Sequence, residues 1–280
     1  MCGRYASSRR PEDLAEEFDV ADVRIPAPLE ADYNVAPTKE VYAVVERPPS
    51  RESEEPPERQ LRVVTWGLVP SWAKDPSIGN RMINARMETV AEKPAYKRAF
   101  AKRRCLLPAD GYFEWYPTQE LTAKGKPRKQ PFFIRPRDHG VLAMAGLYEI
   151  WRDPTRSDDD PARFRWTCTV ITTDAEDDLG HIHDRMPLMV ERERWSAWLD
   201  PRQPQDHLLE LLVPAAPGAL EAYPVSTLVS NVRNNARQGF TYGLPSAMTR
   251  MPRIRCPNEA PPSMVSADFM MKKTISVATP

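Results

Sequence analysis

The sequence predicts an α+β fold: one domain built round a mixed or antiparallel β-sheet, with peripheral helices. Three observations carry that reading. Segments rich in β-branched and aromatic residues recur along the chain, the helical segments between them are short, and neither a βαβ period nor a glycine-rich dinucleotide loop is present. Periodicity alone leaves open whether the sheet closes into a barrel. No internal repeat interrupts the pattern.

The elements follow in order. PEDLAEEF, Pro11 to Phe18, spaces Leu14, Ala15 and Phe18 for one helix face. Pro11 stands near its start, with acidic residues toward the positive end of the helix dipole. VYAVVERPPS from Val41 reads as a strand ending in proline turns, and LRVVTWGLVP from Leu61 resumes β composition. Between them, Arg47 to Gln60 has almost no apolar side chain to bury and predicts an exposed hairpin loop. PFFIR (Pro131 to Arg135), VLAMAGLYEIW from Val141 and FRWTCTVITT (Phe164 to Thr173) predict central strands, bounded by charged or Pro- and Gly-containing turns. Arg152 to Arg163 is a second solvated loop, and HLLELLVP from His207 is a short helix stopped by Pro214. The domain is expected over residues 2–255. The Pro-rich, weakly patterned stretch 256–280 is expected either to wrap the body or to be mobile.

At 280 residues the chain can bury a real core without a disulfide or metal staple. Lys and Arg number 39 against 39 Asp and Glu, which excludes a strongly basic whole surface and leaves room for a locally basic groove. Cys2, Cys105, Cys168 and Cys256 are scattered with no CxxC pair, so reduced thiols and no structural zinc are expected. No apolar run approaches the roughly 20 residues of a membrane-spanning helix, and MCGRYASSRR lacks a signal-peptide apolar segment. The expectation is a soluble, cytoplasmic protein with no membrane association.

Chemistry concentrates at the amino terminus. Removing Met1 would leave Cys2 with a free α-amine and a thiol on one residue. The amine, with a reference pKa of roughly 7.7 to 8.0, and the thiol, at about 8.5, are both nucleophiles near neutrality. Together they can condense with an aldehyde, first as a Schiff base and then as a five-membered thiazolidine. Position alone equally allows Cys2 to be a small buried hydrophobe. Arg4, two residues on, is either a surface charge or a phosphate partner through its planar donor fork.

MCGRYA, NVAPT at Asn34 to Thr38, WGLVPSWAKD from Trp66, NARMET from Asn84 and CLLPADGYFEW from Cys105 occur in that order. AGLYE at Ala145, ITTDA at Ile171, HDRMP at His183 and VSNVRNN at Val229 follow. Read together, these segments resemble the SOS-response-associated peptidase family, the abasic-site processing proteins, over most of the chain. The resemblance implies a thiazolidine between the mature amino-terminal cysteine, here Cys2, and the ring-opened aldehyde of an abasic site. It implies single-stranded DNA, including single-strand to double-strand junctions, as the partner, with no small-molecule cofactor, no metal and no obligate protein partner. A monomer, nucleoid-associated when bound to DNA, is the corresponding expectation. Removal of Met1 is implied as well, which Cys2 and Gly3 allow either by self-processing or by an ordinary aminopeptidase, together with shielding of the lesion, reversal of the cross-link and a lyase-type activity.

The resemblance assigns catalytic roles to Cys2, Glu114, His183 and Asn84, and DNA contacts to Arg4, Asn34, Pro37, Trp66, Trp72 and Arg86. As bare residues each keeps a plainer reading. Glu114, bracketed by aromatic residues in GYFEW, is either a strand-end ion-pair partner or a carboxyl whose burial suits it to proton transfer. His183 has the pKa to handle protons, but a lone histidine is more often structural, and His181 lies beside it. Asn84 and Arg86 could brace a loop, the latter alternatively holding a phosphate next to the opened sugar. Trp66 and Trp72 could pack the core or receive an unstacked base. The run KPAYKRAFAKRRC, Lys93 to Cys105, is a solvated helical face or an accessory phosphate surface. Two other classes of function stay open: a cysteine peptidase using Cys2, Glu114 and His183, and a noncovalent DNA-binding module in which Cys2 is structural.

Overall fold

The computed structural model describes residues 2–48, 55–175, 177–214 and 216–235. All lie in one of the two units into which the chain divides, Met1–Gly243. The expected domain boundary at residue 255, the stretch 256–280 and Cys256 fall outside the described residues.

In chain order the strands are β1 (Tyr5–Ser7), β2 (Asp22–Arg24), β3 (Asp32–Val35), β4 (Glu40–Arg47), β5 (Glu58–Trp66), β6 (Asn84–Arg86) and β7 (Arg104–Ala109). They continue with β8 (Gly111–Leu121), β9 (Pro127–Pro136), β10 (Leu142–Arg152), β11 (Phe164–Asp174), β12 (Arg185–Pro187) and β13 (Leu220–Pro224). The short helices are α1 (Pro11–Glu17), α2 (Lys97–Lys102), α3 (Asp177–Gly180), α4 (Trp195–Leu199) and α5 (Gln205–Glu210).

Five strands form a closed ring. β4 pairs antiparallel with β5 and β7, β7 with β10, and β10 with β11. β11 then returns to β5 in parallel, Thr167 facing Thr65 and Cys168 facing Trp66. The mixed sheet is therefore a barrel, and its seam joins segments about a hundred residues apart in the chain. β2, β6 and β12 extend it from β5 and β11. A second sheet, in the order β13-β9-β8-β1-β3, carries the amino terminus.

Alternation along the barrel strands sets two cores. Val41, Ala43 and Val45 of β4 face the interior with Leu142, Met144 and Tyr148 of β10. Tyr42, Val44, Ala143, Ala145 and Leu147 face outward and are covered by Ala99 and Phe100 of α2, Trp195 and Trp198 of α4 and Leu208 of α5. Both faces are buried, which explains why β10 reads as a continuous apolar run rather than an alternating one. Gly146 belongs to the interior row, where an added Cβ would lie 2.9 Å from Cys105 Sγ.

The hairpin between β4 and β5 is as expected, but β5 begins at Glu58. Glu58, Arg59 and Gln60 are polar yet pair with Arg47, Glu46 and Val45, because a backbone ladder does not need an apolar side chain. Among the run Lys93 to Cys105, Arg104 is fully buried, donating to the carbonyls of Phe100 and Trp198 at 2.7 Å and to that of Asp200. Arg103 is paired with Glu149 at 2.8 Å. These two cations brace the α2–β7 junction and are not a free phosphate surface.

Candidate functional site

The two sheets meet at Cys2. In the β1–β8 ladder Tyr5 faces Tyr112 and Ala6 faces Gly111, so extending the register by two residues brings Gly3 opposite Glu114. That places the carboxylate beside Cys2, which is 0% exposed. From the barrel side, β11 acts as a common ruler. Asn84 of β6 lies opposite Val170, and β12, which follows His183, pairs with Thr172 to Asp174.

Asn84 arrives there by a loop that folds back sharply. Gly67 has φ +131°, and a Cβ on it would stand 2.7 Å from the Gly79 carbonyl oxygen, so the two backbones approach as only glycine permits. Asn84 Nδ2 then donates to the Cys2 carbonyl at 2.8 Å. The Tyr96 hydroxyl donates to the Asn84 carbonyl at 3.1 Å and fixes the strand end. Asn84 Oδ1 is buried and has no hydrogen-bond partner among the described residues.

Glu114 is 4% exposed, and burial raises its pKa to about 7 against the opposing positive charge of the amino terminus. His183 Nε2 stands 4.0 Å from Glu114 Oε2, too long for a direct hydrogen bond and short enough for both to touch one reacting atom. The Arg185 backbone N–H donates to His183 Nδ1 at 3.0 Å, while Asp184 Oδ1 lies 2.8 Å from the same nitrogen. These contacts belong to different protonation states: a bare Nδ1 accepts from Arg185, and a protonated one donates to Asp184. Burial, and next the amino-terminal charge, lower the His183 pKa against the pull of Asp184. The ring is therefore neutral at pH 7, and when its Nδ1 accepts from the Arg185 N–H its proton sits on Nε2, on the Glu114 side.

Burial pushes the Cys2 thiol well up, with the Glu114 charge adding to the effect, and its Sγ rests 3.9 Å from the Arg4 carbonyl oxygen. A thiolate at rest is thus strongly disfavoured. Cys105 and Cys168 are free and buried in the barrel interior, so of the described cysteines Cys2 alone shares a neighbourhood with Glu114 and His183.

The expected DNA-contact residues divide. Arg86 is exposed at the end of β6, its side chain with no hydrogen bond or ion pair among the described residues, and Trp72 is 55% exposed. Trp66, in contrast, is 0% exposed; it packs on Tyr5 with ring centroids 5.1 Å apart and donates to the Ile83 carbonyl at 2.9 Å. It has no face to offer a base, which corrects its assignment to DNA. Asn34 is also buried. Its Nδ2 serves the carbonyls of Val229, Asn231 and Asn234 at 2.8–3.2 Å, and its Oδ1 accepts from Arg4 Nη1 at 2.6 Å. Arg4 further donates to the Val229 carbonyl at 2.9 Å and lies 5.5 Å over the Trp115 ring. Asn34 therefore latches the VSNVRNN segment to the amino-terminal strand, a bracing rather than a DNA-contacting position, and Arg4 keeps Nη2 without a hydrogen bond among the described residues. Pro37 is half-buried beside this latch.

One residue was missed by sequence reasoning. Arg185, within HDRMP, is buried and donates to both oxygens of Glu88 at 2.5 and 3.1 Å, to Asp174 at 2.6 Å and to the Thr172 carbonyl at 2.6 Å. It ties the segment after Asn84 to the segment carrying His183. A charged residue in the otherwise apolar stretch RMPLMV is the signal that could have found it. Among the described residues no three His, Cys, Asp or Glu side chains are grouped to hold a metal ion, and no helix is long and apolar enough to cross a membrane.

The chain resembles known proteins over most of its length. The chain is 35% identical over 239 residues to abasic site processing protein YoaM of Bacillus subtilis, covering 85% of this chain and 96% of that one. It is 32% identical over 247 residues to abasic site processing protein YedK of Escherichia coli, covering 85% and 98%. A crystal structure from Bacteroides thetaiotaomicron shares the fold at a TM-score of 0.68 and 24% identity, over 85% of this chain and 97% of that one. The family model described as SOS response associated peptidase matches residues 1–232. Over residues 1–232 the chain belongs to the SOS response associated peptidase family.

Proposed function

We propose that this chain processes abasic sites in single-stranded DNA, including those at junctions with duplex, by trapping the ring-opened sugar aldehyde on Cys2. The observation that carries the reading is the convergence of Cys2, Asn84, Glu114 and His183 from two sheets on one point.

Removal of Met1, by the chain itself or by an aminopeptidase, converts the Cys2 amide nitrogen into an amine. Glu114, with a pKa near neutrality, takes a proton from that amine. The amine then attacks the C1′ aldehyde carbon, and the C=O π pair moves to oxygen. Returned protons release that oxygen as water and leave an imine. The thiol next adds to the imine carbon, its proton passing to the nitrogen through Glu114 or His183, and the thiazolidine ring closes. Counted from the protonated amine, the sum is aldehyde plus aminothiol giving thiazolidine, one water and one proton, the last leaving to solvent through Glu114. The amine acts first because burial holds the thiol protonated until a strong electrophile is beside it.

Asn84 Nδ2 holds the Cys2 carbonyl, while its buried Oδ1 is placed to accept a hydroxyl of the opened sugar. Arg86 supplies a phosphate contact, Arg4 Nη2 a second, and Trp72 a face for an unstacked base. A thiol held protonated at rest is not the thiolate nucleophile of a cysteine peptidase acting on other proteins, which speaks against that reading. Incubating the mature protein with an abasic single strand, then measuring intact mass after denaturation, tests the reading. A species at the summed mass less one water is expected, and unmodified protein alone would reject it.

A further inference from the structure

The opposite mouth of the barrel holds a second cavity of about 390 Å³, lined in part by Arg47, Arg98, Lys102, Arg103, Tyr148 and Phe164. It is remote from Cys2. β11 runs from Phe164 at this cavity to Val170 opposite Asn84, and six residues at about 3.3 Å each separate the two by roughly 20 Å along the barrel.

Its charge is unbalanced. Two carboxylates line it, but Glu46 is taken by Arg59 at 3.0 Å and Glu149 by Arg103 at 2.8 Å. The side chains of Arg47 and Arg98 make no ion pair or hydrogen bond among the described residues, and Lys102 donates to a neutral acceptor, the Pro201 carbonyl, at 3.1 Å. Three cations without a carboxylate partner thus share one concavity. Arg47 is also held in place: its guanidinium lies 4.9 Å over the Trp166 ring, which stacks on Tyr148 at 5.3 Å and 11°. A guanidinium fixed by its flat face keeps its N–H edge available for a phosphate. Phe164, also lining the cavity, is 53% exposed, with the Arg163 guanidinium 5.6 Å over one face of its ring and the other face left for a base.

We infer that this cavity is a second site for a nucleotide unit, its phosphate on Arg47, Arg98 and Lys102 and its base against Phe164. Resting on the proposed function, the ligand is a distant unit of the same single strand whose lesion is held at Cys2. A free mononucleotide has the same chemistry and is the other source to separate.

The test compares wild type with the triple variant Arg47→Gln, Arg98→Gln, Lys102→Gln, its folding checked by thermal melting. Anisotropy titrations across a salt series use an undamaged 20-nucleotide strand, a 5-nucleotide strand and dAMP. Losing three phosphate contacts on a single strand lowers the slope of log affinity against log salt by about 2. The full loss is expected for the 20-nucleotide strand, which spans both sites, and a smaller one for the 5-nucleotide strand, which divides between them. Saturable dAMP binding lost in the variant, with unchanged strand slopes, would keep the site and assign it to free nucleotides. Equal slopes and no variant-sensitive dAMP binding would overturn the inference. Cross-linking of a short abasic strand is expected to be the same in both proteins. If wild type makes no cross-link, the capture reading fails while the titrations still decide this site.

Discussion

The side-chain amide of Asn84 donates to the backbone carbonyl of Cys2 at 2.8 Å, binding a barrel strand to the first residues of the chain. Through that bond the terminus, which in most domains frays, becomes a fixed wall of the site. The reactive residue is positioned before any ligand arrives, so little ordering entropy is left to the capture step.

Glu114→Gln separates function from stability. The folded pKa of Glu114, about 7, lies above the unfolded carboxyl value, so the folded protein binds this proton more tightly. Its stability is therefore full below the unfolded pKa and falls as pH rises toward 7, a loss the glutamine does not suffer. The variant should be more stable than wild type at pH 8 by about 2–3 kcal/mol and indistinguishable near pH 4 in urea melts. Its cross-linking rate should drop and lose the rise through pH 7 that wild type shows. Equal stability at pH 8 would mean that the carboxylate is not desolvated.

His183→Ala should slow both formation and reversal of the cross-link by about 10²-fold or more, the usual range for a proton-transfer group. Unchanged rates in both directions would remove His183 from the site. Asp184→Asn should alter the rates far less, because the Arg185 backbone N–H also holds His183 Nδ1.

Arg185→Ala should cost about 2–3 kcal/mol, since it strips a buried guanidinium from Glu88, Asp174 and Thr172. The Glu88 pKa is held down first by its hydrogen bond to Arg185. That contribution is present above the ordinary carboxylate pKa and fades as pH falls through the folded value. The penalty measured by urea melts should therefore shrink in acid. As a positioning residue for His183, Arg185 should also lose cross-linking rate with no change in strand affinity. A variant that keeps its rate would make the arginine purely structural.

The two tryptophans of WGLVPSW should behave oppositely. Trp66→Ala empties a buried site and should cost about 3–5 kcal/mol. Trp72→Ala should leave the melting temperature nearly unchanged and weaken single-strand binding by about 1–3 kcal/mol. Strand affinity untouched by Trp72→Ala would remove that side chain from the interface.

How much of this was legible in the sequence depends on the range of the interactions. α1, the β4–β5 hairpin, β10 and β11 declare themselves because their patterns are local. Closure of the barrel was not legible, because it rests on the parallel contact of Thr65 and Trp66 with Thr167 and Cys168, which no local pattern encodes. β6 and β12 were missed for a related reason: three residues each, they exist by pairing with β11. At the site, motif resemblance singled out Cys2, Asn84, Glu114 and His183, and the fold brings these four together. It did not separate the inward Trp66 from the outward Trp72. Nor did it show that Asn34 faces the chain's own carbonyls rather than a ligand, since an amide suits both tasks equally.

The central claim is that Cys2 supplies both nucleophiles. Mature wild-type protein and Cys2→Ala, each with Met1 removed as verified by intact mass, are incubated with an abasic single strand and analysed by denaturing electrophoresis and mass spectrometry. Wild type should give one adduct at the summed mass less one water, mapping to the amino-terminal peptide, while Cys2→Ala binds the strand without that stable adduct. The same stable adduct from Cys2→Ala, or an adduct mapping to another residue, would contradict the account.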